Sequence, residues 1–327
     1  MKLETTESIR EDIFDSIRSL FGFTITDFTK IELGFRNVKW KIETDHGVFF
    51  AKQYNKIRYP EHMVQGLETA LNHQVHLYNK GIPCPKILTH NGNYVIRTAQ
   101  GERYVLMGFC EGSIIQAGTG NVDQMYSLGK IVGQMHTILN SNPTTRLPLH
   151  WEIRSKESML ENWQSRWEEA VRLDSEHTLA HLEIQRNIIE KCDSNIFSQC
   201  ETGWAHWDLF VDNILFQSDR VSAILDFDRM HYVYPEFDIS RPILSCCLEN
   251  GHIHLDRVSA FVRGYQEHLE LTHKKLVRSI KLTWWKEAEW IRAEYTNLTS
   301  PLKRFVEENV WVGENWDHLD ELFSKLL

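Results

Sequence analysis

Asp208 and Asn213 stand in the run Gly203-Trp204-Ala205-His206-Trp207-Asp208-Leu209-Phe210-Val211-Asp212-Asn213, which reads His-x-Asp-x-x-x-x-Asn. A second run, Ala223-Ile224-Leu225-Asp226-Phe227-Asp228, follows after a short apolar stretch and a turn. A carboxylate, an amide and a second carboxylate in that order suit phosphoryl transfer from a nucleotide. Asp208 would accept a hydrogen bond from an attacking hydroxyl and orient it. Asn213 would turn back across the loop to ligate one magnesium ion. Asp226, at the end of the next strand, would ligate magnesium that bridges the nucleotide phosphates.

The pattern His-x-Asp-x-x-x-x-Asn is short enough to arise by chance in roughly a few per cent of chains of this length. Its surroundings carry the argument. Asn213 runs into an apolar stretch, Ser218-Asp219-Arg220 makes a turn, and Val221 to Leu225 is apolar again. A hairpin of that kind would bring both metal ligands to one edge. Asp238, after Tyr234-Pro235-Glu236-Phe237, would either cap the next helix or brace the catalytic loop by accepting backbone N–H groups.

The elements before this loop must supply the grip on the nucleotide. Val38, Trp40 and Ile42 alternate with polar residues, Asp45-His46-Gly47 makes a turn, and Val48 to Lys52 returns, which predicts a β-hairpin. Lys52 on the return strand occupies the place of a phosphate-binding lysine. Leu33-Gly34-Phe35-Arg36-Asn37 precedes the hairpin where a nucleotide-covering loop would lie, so Gly34 and Asn37 are candidate contacts, although a single glycine makes the loop poorly defined. A helix is expected from about Glu61 to Lys80, with Leu67, Leu71, Val75 and Tyr78 on one side and Gly81 as its stop. Glu68 is the acid in the middle of that helix and hence the candidate partner of Lys52. Strands are expected near Lys86 to Leu88, Tyr94 to Arg97 and Arg103 to Phe109. Backbone groups around Phe109, leading out of the last strand, could bind an adenine ring.

The chain opens with an amphipathic helix, since Ile9, Ile13, Ile17 and Leu20 recur at helical spacing. Beyond Glu111-Gly112 the texture changes to long helices. One starts at an Asn121 cap, and charged amphipathic stretches run from Ser158 to Leu173 and from Thr178 to Cys192. Sheet first and helices later predicts an α+β arrangement of two lobes, with boundaries at 1–110 and 111–327. Trp284, Trp285 and Trp290 read as core or as the wall of a substrate cleft.

Composition narrows the function further. A 327-residue chain with 42% hydrophobic residues can bury a sizeable core. The net charge of −9 and the lack of a basic run argue against nucleic acid. No signal core and no apolar run of spanning length is found, so the expectation is a cytoplasmic protein without a membrane partner. Six cysteines without a C-x-x-C pair read as small buried hydrophobes. His73 and His76, and His252 and His254, lack companion ligands for zinc. Asn297-Leu298-Thr299 matches a glycosylation sequon, moot without a secretory signal.

With these residues assembled, the chain resembles the aminoglycoside phosphotransferase and choline kinase superfamily of small-molecule kinases, from roughly Lys30 to Ser240. The specific part lies between His206 and Asp228. His-Trp-Asp-Leu-Phe-Val-Asp-Asn is most similar to type II homoserine kinases, where a glycine usually stands at the Trp207 position. Trp40 to Gly47 and Gly81-Ile82-Pro83-Cys84-Pro85 also look like the spore-coat kinase-like proteins. The resemblance implies a bilobal protein-kinase-like fold, with a small antiparallel-sheet N-lobe and a larger, mostly helical C-lobe. It implies ATP, or in some members GTP, with Mg2+ between the lobes. By matching positions it implies Asp208 as catalytic base, Asn213 and Asp226 as metal ligands, and Lys52 on the phosphates. The acceptor is expected to be a small amine-bearing molecule with a hydroxyl, aminoglycoside-like or an amino alcohol, with homoserine as the alternative. The net acidity, Asp212 and Asp228 beside the reaction centre, and Glu287 and Glu289 favour the cation. A non-catalytic binding protein is the other class, against which the complete set of Lys52, Asp208, Asn213 and Asp226 speaks.

Overall fold

The computed structural model describes residues 6–32, 37–141, 147–293, 302–324 and 326. The chain divides into two compact units, Met1–Gly112 with Ser222–Arg229, and Ser113–Val221 with Met230–Leu327. The segment 222–229, which carries Asp226 and Asp228, therefore belongs with the first unit although it lies far along the chain.

The first unit begins with helix α1 (Thr6–Phe21), then strands β1 (Ile25–Lys30), β2 (Lys39–Thr44) and β3 (Gly47–Gln53). Helix α2 (Val64–Asn79) follows, then β4 (Ile87–Leu88), β5 (Ile96–Arg97) and β6 (Arg103–Gly108). The strands form one antiparallel sheet in the order β1-β2-β3-β6-β4, with β5 also paired to β6. Thr44 pairs with Gly47, so Asp45 and His46 form the expected two-residue turn, and Gly47 takes a φ of 121° that a side chain would resist.

Alternation decides which side chains reach which face. Trp40, Ile42, Ala51, Tyr104 and Leu106 pack against Ile13, Phe14 and Ile17 of α1. Val105 and Met107, on the opposite face of β6, pack with Leu67 and Leu71 of α2 and with Tyr54 and Tyr59. Each face of the sheet is thus covered by one helix, which is why β6 reads as a continuous apolar run rather than an alternating one. The sequence did not suggest β1. Its side chains are almost all exposed, so it shows no apolar periodicity and pairs through its backbone, with a bulge between Ile25 and Asp27.

The second unit is built from α3 (Val122–Leu139), α4 (Lys156–Arg172), α5 (Glu176–Lys191), β7 (Gly203–Ala205), β8 (Ile214–Gln217) and β9 (Arg220–Ile224), the last crossing into the first unit. It continues with β10 (His231–Val233), α6 (Phe237–Cys247), β11 (Leu248–Glu249), β12 (His252–Ile253), α7 (Leu255–Gln266), α8 (His273–Glu287), α9 (Leu302–Glu314) and α10 (Leu319–Ser324). Asn121 caps α3 in a full capping box with Gln124, as its position before the helical period suggests. The axes of α3 and α7 approach closely because Gly129 and Gly264 carry no side chain. A Cβ at Gly264 would lie 2.1 Å from the Tyr126 carbonyl oxygen. Every residue of α6 is buried, and Asp238 and Ser245 of this helix accept from backbone N–H groups of the loop that carries Asp208. Trp284 and Trp285 of α8 are 1% exposed, which makes them core.

Candidate active site

The candidate catalytic loop, which carries Asp208, lies in the second unit between β7 and β8. Strand β7 pairs with β10, and Asn140 at the end of α3 locks it further: its side chain accepts from Trp204 N at 2.8 Å and donates to Trp204 O at 3.1 Å. The chain then turns over Asp238. This carboxylate, fully buried in the first turn of α6, accepts from His206 N at 2.5 Å and from Trp207 N at 2.9 Å. Of the two roles open to Asp238, the structure gives it the brace. His136 Nε2 lies 3.3 Å from the same carboxylate, and His136 Nδ1 lies 3.0 Å from Tyr265 OH, so the brace itself is held by α3 and α7. Charge-assisted bonds to a buried carboxylate are among the stronger ones a loop can have.

Beyond the brace, the loop folds onto itself. Phe210 N donates to Asp208 O at 3.1 Å, Val211 N donates to Ser245 Oγ at 3.1 Å, and Asn213 Nδ2 donates to Asp208 O at 2.8 Å. The amide nitrogen of Asn213 is thereby committed to the loop, which leaves its oxygen to offer a cation. Trp207 takes a φ of 68°, in the left-handed region. Its ring stands edge-on to Phe237 at 4.4 Å between centroids, and Lys286 Nζ lies 4.5 Å from its centroid.

The first unit holds a second, buried constellation. Lys52 Nζ donates to Asp226 Oδ1 at 2.6 Å and to Asp228 Oδ2. Tyr54 OH donates to Asp228 Oδ1 at 2.9 Å, and Tyr59 OH to Oδ2 at 3.4 Å. Burial alone would lower the Lys52 pKa, but the two carboxylates outweigh it and drive the group upward, so the ammonium stays charged. Burial pushes Asp228 up against the opposing pull of Lys52. Burial and the neighbouring Asp228 raise Tyr59 to about 12 and push Tyr54 well above the usual phenol range, which keeps both phenols protonated as donors. Lys39 sits directly across from Lys52 on β2, hence on the same face of the sheet. Its pKa is lowered by burial and by the Lys52 charge.

The expected partner of Lys52 differs from the one observed. Glu68 accepts from Tyr94 N at 3.1 Å and Val95 N at 2.8 Å, which pins α2 to the chain entering β5. The acids on Lys52 are Asp226 and Asp228. Asn37 is buried, and its side-chain oxygen accepts from Asn55 N at 3.4 Å, so it anchors the chain after β3. Gly34 lies outside the described residues, as does the sequon at 297–299. Phe109 N donates to Val48 O at 3.1 Å, so that N–H is not available to an adenine ring. Sequence reasoning missed Tyr54, Tyr59 and Lys39 around Lys52, and His136 and Tyr265 behind Asp238. Tyr54 and Lys39 could have been suspected from the register around Lys52, whereas His136 and Tyr265 carry no local signal.

Three acids expected to attract a cationic acceptor already face cations. Asp212 pairs with Arg304 at 2.9 Å, Glu289 with Arg154 at 2.9 Å, and Glu287 with Arg241 in a buried network that includes Glu308. The fourth, Asp228, is committed to Lys52. Asn213 in the second unit offers an amide oxygen, and Asp226 in the first a carboxylate that is 30% exposed and accepts from Lys52. Few, hard oxygen donors suit magnesium completed by phosphates and water. Among the described residues no group of three or more His, Cys, Asp or Glu could cage a metal.

Residues 27–272 match the profile of a family described as phosphotransferase enzyme family. A homoserine kinase of Rhodopseudomonas palustris (strain BisA53) is 23% identical over 266 residues, covering 80% of this chain and 76% of that protein. A homoserine kinase of Zymomonas mobilis (subsp. mobilis, strain ATCC 31821 / ZM4 / CP4) is 25% identical, covering 76% and 74%. Among solved structures, a microcompartment-associated aminopropanol kinase superposes with a TM-score of 0.64 at 15% identity, over 95% of this chain and 99% of that one. An amicoumacin kinase in complex with AMP-PNP and Ca2+ gives 0.60 at 14% identity, over 95% and 96%. These two likenesses show the kinase-like α+β fold.

Proposed function

The chain belongs to the phosphotransferase enzyme family, and on that premise we propose which residues move the phosphoryl group and which acceptor receives it. It is a small-molecule kinase acting on a hydroxyl group, with ATP as donor and a divalent metal, magnesium by the donor set above. Asp208 would accept the hydrogen bond of the acceptor hydroxyl and take its proton as the hydroxyl oxygen bonds to the γ-phosphorus and the bridging P–O bond breaks, ADP leaving with that electron pair. Asn213 and Asp226 are the metal ligands, and Lys52 holds the nucleotide phosphates. Magnesium, when bound, offsets phosphate charge. The protein's own share is positioning and electrostatics, because phosphoryl transfer asks little covalent chemistry of it. What supports this assignment most is the Asp208 loop: its backbone is braced by a buried carboxylate, and the Asn213 amide nitrogen is turned onto Asp208.

The acceptor is a zwitterionic hydroxy amino acid of the homoserine type rather than a polycation. Two observations favour it. The relatives with 23–25% identity are homoserine kinases, and the acids that would receive a polyamine are each neutralised by an arginine or lysine. A polycation would meet paired charges and gain little. Incubation of the pure protein with ATP, magnesium and, in parallel, L-homoserine, amino alcohols and aminoglycosides tests this. The expected outcome is stoichiometric transfer to the amino acid at the lowest KM. Transfer to aminoglycosides alone would contradict it.

A further inference from the structure

We propose that Asp228, rather than a carboxylate of helix α2, is the positioning residue that holds Lys52 in place for the nucleotide; this rests on the reading of Lys52 as the phosphate-binding lysine. In the protein-kinase template that lysine is paired by a glutamate from the neighbouring helix. Here the middle of α2 offers Glu68, and both of its oxygens are taken by the Tyr94 and Val95 amides. A buried ammonium without a counter-charge is strongly destabilising, so the partner must come from elsewhere.

Asp226 and Asp228 both reach Lys52, but their surroundings differ. The Asp226 side chain is 30% exposed, and that residue has a φ of 62°. The Asp228 side chain is 3% exposed, and its two oxygens are fixed by Tyr54 OH and Tyr59 OH in addition to Lys52. Tyr54 follows directly from β3, the strand that carries Lys52, so donor and anchor move together. Phe227, between the two acids, is buried and fixes the short turn that aims Asp228 inward. The two carboxylates therefore divide the work. Asp226 is the one able to turn to a metal. Asp228 stays and keeps the ammonium charged and oriented. No carboxylate of α2 takes part in holding the lysine, although α2 packs through Leu67 and Leu71 against the two tyrosines that anchor Asp228.

A double-mutant cycle on the intact chain tests the assignment. Calorimetric ATP affinity with magnesium, together with kcat and KM for ATP, would be measured for Lys52→Met, Asp228→Asn, the double variant and Glu68→Gln. Asp228→Asn is expected to weaken ATP binding on the order of tenfold to a hundredfold, the scale of one charge-assisted hydrogen bond. The double variant should bind ATP no worse than Lys52→Met alone, because Asp228 acts through the lysine. Glu68→Gln should lower the melting temperature and leave ATP affinity within twofold to threefold. Tyr54→Phe gives a gentler form of the same cycle if Asp228→Asn does not fold: a weakening of a few-fold in the native background and none beside Lys52→Met. Costs that add fully in either double variant, or an ATP loss in Glu68→Gln that matches Lys52→Met, would overturn the inference alone. Unchanged ATP affinity in Lys52→Met would overturn the nucleotide reading of the lysine, and the inference with it.

Discussion

Trp207 shows why a single residue next to Asp208 can be read from its neighbours yet understood only from its backbone. Its φ of 68° lies in the left-handed region that favours glycine, at the position directly before Asp208. A tryptophan in that conformation stores on the order of 1–2 kcal/mol of strain, offset by its packing on Phe237 and the cation above its ring. The usual ranking of substitutions should therefore invert. Trp207→Gly is expected to be more stable than Trp207→Ala by about 1 kcal/mol, because both lose the indole and only alanine keeps the strain. Urea denaturation of the two variants measures this, and an alanine variant at least as stable as glycine would refute it. Residue chemistry was otherwise the most legible layer. Asp208, Asn213 and Asp226 stand out as candidates because their spacing is local. Glu68 did not, because the choice between it and Asp228 is made by contacts across more than 170 positions of chain.

The elements that position these residues were legible wherever burial is one-sided or capped. The β2–β3 hairpin, α1 and the α3 capping box follow from alternation, helical spacing and Asn121. The exposed strand β1 left no such trace. Helix α2 illustrates a further limit. His73 and His76 sit one turn apart, and neither spacing nor type says that His73 is partly buried on the packed side. Burial and the neighbouring His76 lower its pKa to about 4. An unfolded histidine titrates near 6.5, so below that pH the unfolded chain binds a proton that the folded form refuses. Stability contributed by neutral His73 is complete above pH 6.5 and is lost as the pH falls toward 4, at about 1 kcal/mol per pH unit. Denaturant midpoints between pH 7.5 and pH 5 should fall less steeply for His73→Gln than for the native chain. Identical slopes would show that His73 titrates as it does when unfolded.

At the scale of the whole molecule, each of two compact units holds its own set of candidate residues. The first holds the Lys52 and Asp226 set, and the second the braced Asp208 and Asn213 loop. The class of reaction was visible in the sequence because it needs few residue types in a set order. The ion pairs that bear on the proposed acceptor were not, because Arg154, Arg241 and Arg304 reach Glu289, Glu287 and Asp212 across long stretches of chain. The central claim is that Asp208 serves the acceptor hydroxyl while the nucleotide is held elsewhere. Single-turnover transfer from ATP to the acceptor, measured beside ATP affinity in native protein and in Asp208→Asn, tests it most directly. The account predicts a transfer rate lower by on the order of 10²–10⁴ with ATP affinity nearly unchanged. Transfer at near-native rate by the folded variant would contradict it.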